Sequence, residues 1–136
     1  MSTPSKPLWE VLGVIDALWP VSGAEEWDAP GLVVGSPDHA VSSIQLMVDA
    51  TIESVAEALE QGADLIVAHH PLLLRGVTSV AESTYKGRVV ADLIRGGVAL
   101  YAAHTNADVV PTLRKLSAPP SRSARAQGIP CCHTPS

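Results

Sequence analysis

Residue types that bind metals stand at the ends of apolar runs in this chain. His69 and His70 close the run Leu65-Ile66-Val67-Ala68 and are followed at once by Pro71. His104, Thr105, Asn106 and Asp108 follow a second run, residues 98–103. Asp49 closes a third, Ile44-Gln45-Leu46-Met47-Val48. Imidazole nitrogens and carboxylate oxygens are ligands for Zn, Fe, Mn or Co. If the three runs are parallel strands of one open sheet, their carboxyl ends share an edge, and α/β proteins place ligand sites there. That edge would gather three imidazoles and two carboxylates. Two ions about 3.5–4 Å apart would polarise a substrate and generate hydroxide near neutral pH.

Each of these residues also has an ordinary role. Asp49 either caps the helix after it or faces the site. Adjacent histidines on an extended strand point to opposite sides, so the pair is expected to face two metals, or one metal and one supporting partner. A purely structural pair would need partners for four ring nitrogens, which is costly at a buried strand end. His104 and Asp108 share a face if the chain turns helically after its strand, and one then orients the other. His39 and His133 read as hydrogen-bonded loop residues. Trp9, Trp19 and Trp27 read as packing residues. Cys131-Cys132-His133 has no scaffold around it to make a metal site.

The elements that must position these groups follow from periodicity. Leu8, Val11, Leu12, Ile15, Leu18 and Trp19 fall at helical spacing, and Pro20 ends the run. Residues 25–31 form a polar turn with Pro-Gly punctuation, leading into Leu32-Val33-Val34-Gly35, a short edge strand. Residues 44–48 are a strand. Thr51 caps a helix whose apolar face is Ile52, Val55, Ala56 and Leu59, with Glu53 and Glu57 near its start and Gly62 as its stop. The run 65–68 is the next strand, completing a β-α-β unit. Residues 71–83 are a loop with Leu72, Leu73 and Leu74 tucked in. Residues 86–95 are helical, with Val89, Val90, Leu93 and Ile94 apolar, and Gly96-Gly97 stops them before the third strand. The fold class is α/β: two or three layers around a mostly parallel sheet built from β-α-β units.

Composition bounds the function. With 46% hydrophobic residues and no Phe, the core must be built from Val, Leu, Ile and Ala, which suits a parallel sheet under helices. The net charge of −5 speaks against a nucleic-acid surface. No apolar run is long enough to span a membrane, and residues 1–7 read as a flexible terminus without a signal sequence. The two cysteines are neighbours, so no disulfide framework is expected and a reducing cytoplasm is the default. No Gly-rich phosphate loop and no Gly-x-Ser-x-Gly elbow is present. Residues 111–136 are of another kind: they hold all of the chain's remaining four Lys and Arg, five Pro and no acid, whereas residues 1–110 carry five cations and 14 acids. The tail is expected to be disordered and aberrant, as after a frameshift.

Four motifs, in order, carry a resemblance. Glu26-Trp27-Asp28-x-x-Gly31-Leu32-x-Val34-Gly35, Asp49-Ala50-Thr51, Ala68-His69-His70-Pro71-Leu72 and Tyr101-Ala102-Ala103-His104-Thr105-Asn106-x-Asp108 resemble the Nif-three-like family of dinuclear metal proteins, also named GTP cyclohydrolase I type 2. The resemblance covers residues 8–110, taken as one α/β domain corresponding to the first half of the family fold. It implies two divalent metal ions per subunit (Zn, Fe or Mn) and a ring-shaped homohexamer. It also implies a nucleotide-like substrate, with hydrolytic opening of the GTP imidazole ring to dihydroneopterin triphosphate and formate. By motif position, His69, His70 and Asp108 correspond to metal ligands and His104 to a site residue beside them, a catalytic or supporting candidate; Asp49 is a supporting candidate from its strand end. Family members are about twice as long, and their second half adds a His-x-x-x-Glu pair that this chain lacks. The expectation is therefore half a site, with fewer than two metals held and an impaired hydrolase. The alternatives are a non-catalytic metal-binding or protein-interaction module, or a truncated product.

Overall fold

The computed structural model describes residues 4–108. The tail from 111 onward and Cys131-Cys132-His133 lie outside these residues. A four-stranded sheet forms the centre, made from β2 (Gly31–Val34), β4 (Ile44–Met47), β5 (Leu65–Ala68) and β6 (Ala99–Ala102) in the order β2-β6-β5-β4. β4, β5 and β6 run parallel, with Ile44 beside Leu65 and Leu65 beside Ala99. β2 is the edge strand expected from its sequence and runs antiparallel to β6, with an irregularity between Leu32 and Val34. A two-stranded ribbon of β1 (Lys6–Pro7) and β3 (Ala40–Val41) lies apart from the sheet.

Three helices build the outer layers. α2 (Ile52–Glu60) and α3 (Tyr85–Gly96) cover one face, where Val55, Ala58, Val89 and Leu93 pack on Ile66, Ala68 and Leu100. α1 (Leu8–Leu18) covers the other, where Leu8 and Ile15 pack on Leu65, Val67, Ala99 and Tyr101. The architecture is thus three-layered, and alternate residues of the fully buried strands β5 and β6 feed two separate cores.

Local chemistry explains the helix ends. The Thr51 hydroxyl accepts from the Ser54 amide and the Ser54 hydroxyl returns the bond to the Thr51 amide, a closed capping box. Asp49 does not cap α2; its carboxylate goes elsewhere. Gly62, just past α2, and Gly97, at the end of α3, both hold positive φ, which suits residues without a Cβ.

Two expected faces shift. On α2, Ala58 is buried and Ala56 is exposed, because Ile52, Val55, Ala58 and Leu59 line the side that meets α3 and the sheet. On α3, Ile94 is 65% exposed, since Leu93 already occupies the inward position. Leu72 is buried and Leu73 packs against the first core, as the loop reading expected.

Candidate metal centre at the carboxyl edge of the sheet

The three parallel strands deliver their terminal residues to one edge. β5 ends at Ala68 and the chain bends at His69 and His70. The bend cancels the strand alternation, so the two rings do not face opposite sides. Their centroids lie 5.5 Å apart, and the His104 ring is 5.6 Å from His69 and 6.2 Å from His70.

Each histidine is oriented through Nδ1 by a different neighbour. His69 Nδ1 lies 2.8 Å from the carbonyl oxygen of Ala103, beyond the end of β6. A carbonyl only accepts, so this nitrogen carries the proton, and in the neutral ring the lone pair sits on Nε2. His70 Nδ1 lies 2.5 Å from Asp49 Oδ1, beyond the end of β4, with the same consequence. Both Nε2 atoms are buried, and neither has a hydrogen-bond partner among the described residues. Acceptors that fix the Nδ1 tautomer and leave Nε2 open are the usual support of metal-binding histidines. The Asp108 carboxylate stands 3.9 Å from His69 Nε2, too far for a hydrogen bond. It reaches this position because Thr105–Asp108 turns helically as α4.

His104 is held by a residue that the strand-end argument did not select. Its Nδ1 is 3.1 Å from Asp28 Oδ1, and the other Asp28 oxygen accepts from the Thr105 amide at 2.9 Å and from the Thr105 hydroxyl. The Glu25 amide donates to the Thr105 hydroxyl oxygen at 2.9 Å, closing the link between the 25–28 turn and the start of α4. Burial pushes the Asp28 carboxyl up, but the bonds from Thr105, His104 and the Ala29 amide outweigh it and hold the group below its ordinary value. Asp28 read as part of a polar turn. The signal that would have found it is its place just before the edge strand that pairs beside β6, whose end carries His104. Trp27, expected as packing, is largely exposed and sets its ring edge-on to His104 at 5.7 Å. His39 bonds the Asp64 carbonyl through Nε2, a loop role as expected.

The two buried imidazole nitrogens and the Asp108 carboxylate stand at one edge, and among the described residues no group of three or more His, Cys, Asp or Glu could hold a metal ion.

The family described as Duf34/NIF3 (NGG1p interacting factor 3) matches residues 8–115. This chain belongs to that family. A protein of Streptomyces coelicolor named GTP cyclohydrolase 1 type 2 homolog is 58% identical over 101 residues, which are 74% of this chain and 35% of that one. A Staphylococcus aureus protein of the same name is 40% identical over 75% of this chain and 28% of its own length. The crystal structure of a Bacillus cereus protein related to NIF3 superposes with a TM-score of 0.72 at 32% identity, covering 76% of this chain and 29% of that one. Reduced HcgD from Methanocaldococcus jannaschii gives a TM-score of 0.72 at 26% identity, covering 79% and 43%. The NIF3 member thus spans only about a third or less of the curated relatives cited here. No described helix of this family member is long and apolar enough to cross a membrane.

Proposed function

We propose that this chain supplies one wall of a divalent metal centre serving hydrolysis of a nucleotide-like heterocycle, with GTP ring opening as the reaction suggested by the relatives' names. The observation that carries the reading is the pair of buried Nε2 atoms, on His69 and His70, whose rings are fixed through Nδ1. His69, His70 and Asp108 would hold the ion. When bound, a divalent ion supplies Lewis acidity and brings the pKa of a coordinated water toward neutrality. The chain's own contribution is orientation. Ala103 and Asp49 set the two imidazoles, and Asp28 fixes His104 at the border of the same space. His104 is the candidate for carrying a proton between substrate and protein. Completing the coordination would fall to ligands that this chain does not supply, and the proposed assembly is a homohexamer in the cytoplasm.

The test is metal content after loading with zinc and removing the excess by gel filtration. The wild-type chain is expected to retain zinc, and His69→Ala and Asp108→Ala to lose most of it while keeping their far-ultraviolet circular dichroism. A wild-type chain that retains none, or variants that retain the wild-type amount, would overturn the reading.

A further inference from the structure

Five Lys and Arg side chains occur among the described residues. Three are engaged by carboxylates: Lys6 lies 3.6 Å from Glu10, Arg88 3.2 Å from Asp92 and Arg95 2.6 Å from Glu82. The other two, Arg75 and Lys86, form no ion pair among the described residues. Both line one cavity of about 300 Å³, to which Asp49 and His70 also contribute. In a chain of net charge −5, two cations outside any ion pair in one lining outnumber its single carboxylate, Asp49.

The backbone adds to this field. Ala50, in the cavity wall, stands two residues before α2, and Tyr85 and Lys86 are the first two residues of α3. The Tyr85 hydroxyl donates to the Ala50 carbonyl at 2.7 Å, tying the two helix starts together. Helix starts present amide hydrogens and a partial positive charge. The Asp49 carboxylate, also in the lining, opposes an anion, but it is bonded to His70. The volume lies at the small end of the range for ligand pockets and suits a short polar group.

We propose that this cavity is a phosphate subsite for a small nucleotide-like anion. Arg75 and Lys86 hold the phosphate oxygens, and the rest of the molecule points toward the His69–His70 edge. Only the second half of that statement rests on the metal-centre reading. Phosphate binding by the two cations stands without it.

The experiment is calorimetric titration of EDTA-treated protein with inorganic tripolyphosphate and, separately, with GTP. The metal-free wild type is expected to bind tripolyphosphate saturably. Arg75→Ala and Lys86→Gln should each weaken it by about tenfold or more, and Arg88→Ala, outside the cavity, should not. Tighter binding of GTP than of tripolyphosphate would support the direction assigned to the base; equal binding would overturn that part. Absence of saturable binding in the wild type, or an equal loss in Arg88→Ala, would overturn the subsite. Loss of zinc retention with intact tripolyphosphate binding would sink the metal reading and leave the subsite standing.

Discussion

Asp28 and His104 lie 76 residues apart in the chain and 3.1 Å apart in space. The carboxylate is shut off from solvent, and its second oxygen ties down Thr105. One side chain therefore joins the turn before the edge strand to the segment that carries the site.

That junction predicts a pH signature. The folded-state pKa of Asp28 is depressed below the ordinary 3.8. Its contribution to stability is fully present above 3.8 and is lost as pH falls through the folded value. Asp28→Asn should be less stable than wild type by about 1–3 kcal/mol at neutral pH. The gap should narrow as pH drops below 3.8. Urea unfolding of both proteins across pH 3 to 7 measures it, and a gap independent of pH would contradict the assignment.

The capping box on α2 gives a second expectation. Thr51→Ala leaves the Ser54 amide without its acceptor and should cost about 1 kcal/mol. Because Thr51 lies outside the histidine edge, zinc retention should stay at the wild-type level in the same preparation. Chemical denaturation and metal analysis together separate a fold effect from a site effect.

Gly35 is constrained twice. Its φ is +130°, and a Cβ there would stand 2.7 Å from the Ala99 Cβ at the start of β6. Gly35→Ala should lower stability by about 1–3 kcal/mol, through backbone strain and crowding at β6. Thermal melts should show the loss as a lower midpoint. An unchanged midpoint would mean that the β2 end relaxes freely.

Leu46 lies on the outer edge strand β4 and is 71% exposed, with Ile44 and Val48 exposed beside it. Register places Ile44 and Leu46 next to Leu65 and Val67, so this row extends the α1-covered core past the reach of α1. Leu46→Lys should change stability by no more than about 0.5 kcal/mol. It should also reduce concentration-dependent self-association in sedimentation velocity, since the apolar row is what other chains would meet.

The sequence by itself determined the elements and their polarity. Short apolar runs separated by a capped helix suit parallel strands joined by crossovers, and parallel strands must send Asp49, His69-His70 and His104 to one edge. Cap and stop residues were legible for the same reason: Thr51, Gly62 and Gly97 act within one or two turns of chain. The four spaced motifs also carried the family. Tertiary structure alone decided how the edge is organised. The strand alternation that would split His69 from His70 ends one residue earlier, at a bend, and both rings are then aimed by acceptors from flanking strands. Asp28 entered through the antiparallel pairing of β2 with β6, a strand far along the chain, a choice that no local pattern encodes. Ala58 rather than Ala56 is buried because the inward side of α2 is set by α3 and the sheet, and periodicity leaves that angle free. Local propensity acts over a few residues; the side chains that orient this site meet only after the sheet has closed.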